Sequence, residues 1–123
     1  MNILFVYFDK IIQNDNLYVK SLCEEIRRQN GSVECSIDAF WNSPRKYDIV
    51  HIQFPEVIFK WRQPSNNGLK ALRQRIARLK SMGTKIVYTR HDAIPHYCTD
   101  KNKLELYRIV ETQSNAIIHL GEY

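Results

Sequence analysis

Between Val57 and Arg90 the chain carries no acidic residue at all. The same stretch holds Lys60, Arg62, Lys70, Arg73, Arg75, Arg78, Lys80, Lys85 and Arg90, half of the 18 basic residues. A net charge of +5 distributed so unevenly calls for an anionic partner or for a solvated basic face. Long apolar runs are also missing. None approaches the ~20 residues a bilayer-spanning helix needs. Ile3 to Phe8 is too short for a signal-peptide core, has no Lys or Arg before it and runs into Asp9-Lys10, so no export is expected. Cysteine is scarce and odd in number, three in all, without the paired spacing of a structural metal site. A reducing, cytoplasmic compartment is therefore expected. Repeats and low-complexity tracts are absent.

What is present suits one globular domain. The chain has 123 residues, 44% hydrophobic and 25% charged, enough for one core and too few for two. Asn2 to Phe8 is continuously apolar and reads as a strand buried on both faces. Val19, Leu22, Cys23 and Ile26 recur at helical spacing, closed by Asn30-Gly31. Val33, Cys35, Ile37 and Ala39 alternate with polar residues as in a second strand with one wetter face, and 41–46 is a loop. Ile49 to Phe54 forms a third strand. The stretch 57–68 reads as a short helical turn and a loop. Leu69, Leu72, Ile76, Leu79 and Met82 mark an amphipathic helix stopped by Gly83. Ile86 to Thr89 is a fourth strand. A helix around Leu106, Ile109 and Val110 follows, capped by Asp100 or Asn102. Ala116 to Leu120 is a fifth strand.

Strands separated by helical crossovers imply an α/β fold, a Rossmann-like, doubly wound, three-layer sandwich around a five-stranded, mostly parallel sheet. The expected order is 3-2-1-4-5, although an alternating second strand would suit a sheet edge. Tyr123 follows Gly121 by only two residues at the tip of the fifth strand. There a doubly wound domain normally turns into another helix, so a fragment of a longer protein is expected.

Three strand ends share one character: Tyr47-Asp-Ile-Val-His-Ile-Gln-Phe-Pro-Glu56, Lys85-Ile-Val-Tyr-Thr-Arg-His-Asp-Ala-Ile-Pro-His96 and Ala116-Ile-Ile-His-Leu-Gly-Glu-Tyr123. Each β-branched run stops at polar, histidine-bearing residues, as parallel strands do where their tips carry a binding site. His51-Ile-Gln-Phe-Pro-Glu56 resembles the strand-end His-x-x-(aromatic)-Pro-Glu of one branch of the family 4-like GT-B glycosyltransferases. Thr89-Arg-His-Asp-Ala-Ile-Pro-His96 is similar to that branch's Thr-x-His-(Asn or Asp)-x-x-Pro-His, and Asn16-Leu-Tyr18 to its Asn-x-Tyr. The last strand resembles the one that precedes the interdomain linker. The likeness spans essentially the whole chain and covers only the N-terminal, acceptor-side domain of such an enzyme.

The resemblance implies a protein that moves a sugar from a nucleotide sugar to an acceptor hydroxyl, in surface polysaccharide or glycolipid assembly. The nucleotide-sugar donor would be held mainly by a C-terminal domain that lies outside these residues, and the carbohydrate or lipid-linked acceptor by this one. The isolated domain would then lack turnover. It implies catalytic roles for Asp9, Glu56 and His91, substrate contacts from Asn16, Tyr18, Asp92, His96 and Glu122, and no cofactor. Many members carry a glycine pair after the first strand, whereas the loop here, Asp9-Lys-Ile-Ile-Gln-Asn14, has none.

Each residue also has a plainer reading. His91 can hydrogen-bond a sugar hydroxyl, since a neutral imidazole has one donor and one acceptor, or be a buried structural histidine. Glu56 can bind acceptor hydroxyls, act as a base or cap a helix. His96 shapes the acceptor cleft or caps its loop, while His51 and His119, inside strands, read as interior residues. His91, Asp92, His96 and Cys98 fall within eight residues of one loop without zinc-type spacing, so no metal is expected. Lys70, Arg73, Arg75, Arg78 and Lys80, opposite the leucine stripe, form a solvated face or dock on an anionic membrane surface, peripheral to the inner face. No aromatic-basic platform accompanies them, so nucleic acid is not an expected partner. A stand-alone flavodoxin-like or receiver-like binding module is the alternative to the transferase domain.

Overall fold

The computed structural model describes residues 1–8, 24–25, 28, 31–90 and 100–119. Strands β1 (Asn2–Phe5), β2 (Ser32–Cys35), β3 (Ile49–Ile52), β4 (Lys85–Arg90) and β5 (Ala116–His119) form a sheet in which every pairing is parallel. Helices α1 (Ile37–Asn42), α2 (Asn66–Ser81) and α3 (Lys101–Gln113), with a 3-10 helix at Pro55–Phe59, lie between the strands. The fold is α/β and Rossmann-like in kind. Glu24, Glu25 and Arg28 are helical, while the apolar positions of the expected first helix lie outside the described residues.

The strand order is β2-β1-β3-β4-β5, not the expected 3-2-1-4-5. Burial explains the difference. β3 is half-buried at Ile49 and fully buried from Val50 to Ile52, which requires a neighbour on each side. β2 is exposed at Ser32 and only half-buried over Val33 to Cys35, which an edge tolerates. The chain therefore crosses over β1 and places β3 on its far side, as a right-handed crossover allows. The common dinucleotide-binding order 3-2-1-4-5-6, stripped of its outer strand and renumbered, becomes 2-1-3-4-5.

A second correction concerns β2, which ends at Cys35 instead of running to Ala39. Ser36 is extended and its hydroxyl accepts the Ala39 N–H at 2.9 Å, an N-cap that starts α1. Asp38 in the first turn favours the positive end of the helix, and Ile37 and Phe40, one turn apart, face the core. The alternation over 33–39 thus joins a strand to a helix turn.

The other elements follow their sequence signals. Ser65 caps α2 by accepting the Gly68 N–H at 2.9 Å, and Leu69, Leu72, Ile76 and Leu79 bury one face. Gly83 closes α2 with φ of 91°, a conformation that a Cβ disfavours. A Cβ there would meet only the Lys46 side chain, at 3.6 Å, an ordinary contact. Gly83→Ala is thus expected to cost about 1 kcal/mol through the backbone alone, seen as a lower urea midpoint with unchanged slope. Asp100 caps α3, accepting the N–H groups of Asn102 and Lys103.

The three described helices share one sheet face. Arg75 of α2 reaches the end of α1, and α2 and α3 both pack on β4 and on each other. Leu4, Val50, Ile52, Ile86 and Tyr88 point to this side by strand alternation and register, whereas Phe5, His51 and Thr89 point to the other.

Candidate functional site

Since all strands run the same way, β1, β3 and β4 end at one edge of the sheet. Ligands of such sheets bind outside that edge, where the strand order reverses. In the observed order the reversal lies between β1 and β3, not between the first and fourth strands. This shift brings the β3 tip, Gln53-Phe54-Pro55-Glu56, to the central position.

Past β1, Val6 donates its N–H to the His51 carbonyl at 3.0 Å, so the two tips stay joined for one further residue. Tyr7 is buried and Phe8 half-buried. Past β3, Gln53 is buried, and Pro55 starts the 3-10 helix, where its fixed φ is already suitable. Glu56 sits in the first turn of that helix but does not cap it, since Phe54 holds the cap position without a side-chain bond. Instead the Glu56 carboxylate accepts a 2.5 Å hydrogen bond from the Tyr107 hydroxyl of α3. A half-buried carboxylate fixed by a phenol at the switch point can accept a hydrogen bond from a ligand hydroxyl in a defined direction.

Next to it, Tyr88 on β4 is 2% exposed, and burial first, then the Glu111 carboxylate, push its pKa up to about 12. Arg90 opposes this shift and Glu56 adds to it. Arg90 in turn approaches Glu111 at 3.4 Å. The folded-state value exceeds the usual one near 10, so burying the neutral phenol contributes fully below pH ~10 and is lost as pH rises through ~12. Urea midpoints measured from pH 9 to 12 are expected to fall, and Tyr88→Phe should flatten that fall.

His51 is an interior residue, as its place within β3 suggests. Its Nε2 lies 2.6 Å from Thr89 Oγ1 and its ring stacks on Phe5 with centroids 4.7 Å apart. Asp9, Asn16, Tyr18, His91, Asp92, His96 and Glu122 lie outside the described residues. Phe8 and Arg90, their sequence neighbours at Asp9 and His91, are at the binding edge. The backbone of His119 pairs with Arg90 at the end of β5.

The basic helix does not present one uniform face. Lys70 and Arg78 are exposed, and Lys80 is half-buried. Arg73 pairs with Glu105 of α3 at 2.6 Å. Arg75 departs from the expected solvated face: it is half-buried and its guanidinium donates to the carbonyls of Phe40 and Ser43, the latter at 2.8 Å. Burial, then the charge of Arg78, lowers its pKa, though a guanidinium remains charged. Its role is to cap the end of α1. Among the described residues no helix is long and apolar enough to cross a membrane, and no cluster of three or more His, Cys, Asp or Glu is placed to hold a metal ion.

One feature had no clear sequence signal. Lys60 (φ 56°) and Trp61 (φ 65°) are consecutive left-handed residues, neither of them glycine. Lys60 is explained as the C-cap of the 3-10 helix, its N–H bonded to the Glu56 and Val57 carbonyls. Trp61 continues the same turn, its N–H bonded to the Glu56 carbonyl at 2.9 Å, although a bulky residue in that region costs about 1–2 kcal/mol. Its indole is 55% exposed and lies 6.0 Å from the Phe54 ring, which is 6.4 Å from Tyr7. An aromatic series thus runs from the β1 tip to the surface. Left-handed positions are legible when glycine or asparagine marks them, and Lys-Trp does not.

Comparison of the chain with protein-family models, curated proteins and solved structures gives no match.

Proposed function

We propose that this chain is the acceptor-side domain of a GT-B glycosyltransferase acting in surface polysaccharide or glycolipid assembly. The observation that supports it most is Glu56, a carboxylate fixed by Tyr107 at the tip of β3, beside the sheet's switch point. It ends the segment that most resembles the family. In this reading Glu56, with Asp9 and His91 from the neighbouring loops, orients an acceptor hydroxyl and accepts its proton. The oxygen forms the new glycosidic bond and the nucleoside diphosphate leaves with the donor's bonding electrons. A second domain binds the donor, and the protein works in the cytoplasm, peripheral to the inner membrane face.

The strand order gives specific support to a second reading, a stand-alone flavodoxin-like module, because 2-1-3-4-5 is also the order of flavin-binding and receiver domains. A receiver needs a phosphoacceptor Asp at the third tip, where this chain has Pro55-Glu56. Calorimetric titration separates the two. The transferase domain is expected to bind nucleoside diphosphates no tighter than about millimolar, since its own first loop lacks glycine. A micromolar flavin or nucleotide complex would overturn that reading in favour of the module.

A further inference from the structure

We infer that the turn Lys60-Trp61-Arg62 is a saccharide subsite that selects an acidic sugar, one bearing a carboxylate or a phosphate ester. The inference rests on the transferase reading and assigns its acceptor a chemical class. Trp61 combines two unfavourable features, a left-handed backbone and an exposed side chain, and among the described residues its aromatic partner is Phe54. The left-handed pair closes the 3-10 helix, with the Trp61 N–H on the Glu56 carbonyl at 2.9 Å and the Arg62 N–H on the Phe59 carbonyl at 3.0 Å, and this turn holds the indole outward. An exposed indole offers a flat apolar plate for the C–H face of a pyranose ring. Its place is also suitable, because Phe54 links it to the β1 and β3 tips where the acceptor hydroxyl would be activated.

Beyond the turn lies a cavity of about 280 Å³ between α1 and the 3-10 helix. Both elements begin at the binding edge, from the tips of β2 and β3, and the cavity lies between them. Trp41 and Phe59, 5.7 Å apart between centroids, supply its apolar wall, with the Trp41 indole N–H held by the Ile58 carbonyl at 3.1 Å. Asp38 and Asn42, bonded to each other at 2.9 Å, supply groups that suit sugar hydroxyls. Lys60 and Arg62 complete the lining, and neither makes an ion pair with a described residue. Two available cations against one carboxylate already engaged by Asn42 favour an anionic ligand. A saccharide can therefore run from the switch point across Trp61 into the cavity, its acidic group between Lys60 and Arg62.

The test titrates the 123-residue chain with trigalacturonate, with neutral maltotriose and with glucose 1-phosphate, following the Trp61 indole N–H by NMR. Trigalacturonate or glucose 1-phosphate should bind at least tenfold more tightly than maltotriose, and whichever binds better tells carboxylate from phosphate. Trp61→Gly should weaken binding at least tenfold while the melting temperature stays level or rises, because glycine relieves the left-handed backbone. Lys60→Gln with Arg62→Gln should reduce acidic ligands to the level of maltotriose. Equal binding of acidic and neutral sugars, or Trp61→Gly binding like wild type, overturns the inference. So does Trp61-dependent sedimentation with anionic phosphatidylglycerol vesicles in the absence of any saccharide shift, which would make the turn a membrane anchor. A tight flavin complex, by contrast, defeats the transferase reading itself and is seen at Phe8 and Gln53, not at Trp61.

Discussion

Leu72→Ala is expected to lower the unfolding free energy by about 3 kcal/mol, measured by urea denaturation. Leu72 is 0% exposed and lies in the middle of the α2 stripe, with Leu69 before it and Ile76 and Leu79 after it. Truncation removes the transfer free energy of three carbons and leaves a void that α2, packed on both β4 and α3, cannot easily close. A domain of this size is stable by about 5–15 kcal/mol, so the loss should be plain in the midpoint. Arg78→Ala, on the exposed side of the same helix, should stay within about 0.5 kcal/mol. A Leu72→Ala loss below about 1 kcal/mol would mean that α2 does not pack on the sheet as described.

Arg75→Ala is expected to cost about 2–3 kcal/mol, much more than any other basic residue of α2. The guanidinium bonds two carbonyls at the end of α1, and bonds from a charged donor contribute about 1.5–3 kcal/mol each without adding fully. α1 has only six residues and could not persist by itself, so its outer end depends on this fork. Arg75→Lys should recover part of the loss, because a single ammonium keeps the charge near the helix C-terminus but cannot span both carbonyls. Urea midpoints, with near-ultraviolet circular dichroism reporting on Trp41, give the comparison. The assignment fails if Arg75→Ala and Arg78→Ala are indistinguishable.

These contrasts mark where sequence reasoning reaches its limit. α2 was legible because its period, its Ser65 cap and its Gly83 stop all agree. β3 and β4 were legible because continuous β-branched runs have few other stable uses. Strand order was misread because it depends on which strand needs two neighbours, a property visible in burial more than in any motif. The alternation of β2 did point to an edge. α1 was concealed because Val33, Cys35, Ile37 and Ala39 fit a period of two, and only Ser36 followed by Asp38 betrays a cap. Arg75 was grouped with its solvated neighbours because charge in a sequence does not reveal which carbonyls lie within reach. Of the candidate site, Glu56 was legible as a residue at its strand tip, while its partner Tyr107 lies 51 residues away in the chain and Trp61 departs from the usual left-handed residues.

The sheet pairs only across helical crossovers: Asn2 meets Ser32, Ile3 meets Ile49, Ile49 meets Lys85 and Val87 meets Ala116. No hairpin exists among these strands from which pairing could zip, so folding must close long loops before any ladder rewards it. During synthesis, β1 emerges early yet keeps an open side until Ile49–Ile52 has cleared the ribosome. Its apolar Leu4 and Phe5 then belong to an incomplete sheet, the state in which nascent chains associate wrongly or recruit chaperones. β1, which flanks the switch point of the binding edge, is thus also the segment that waits longest for its second neighbour.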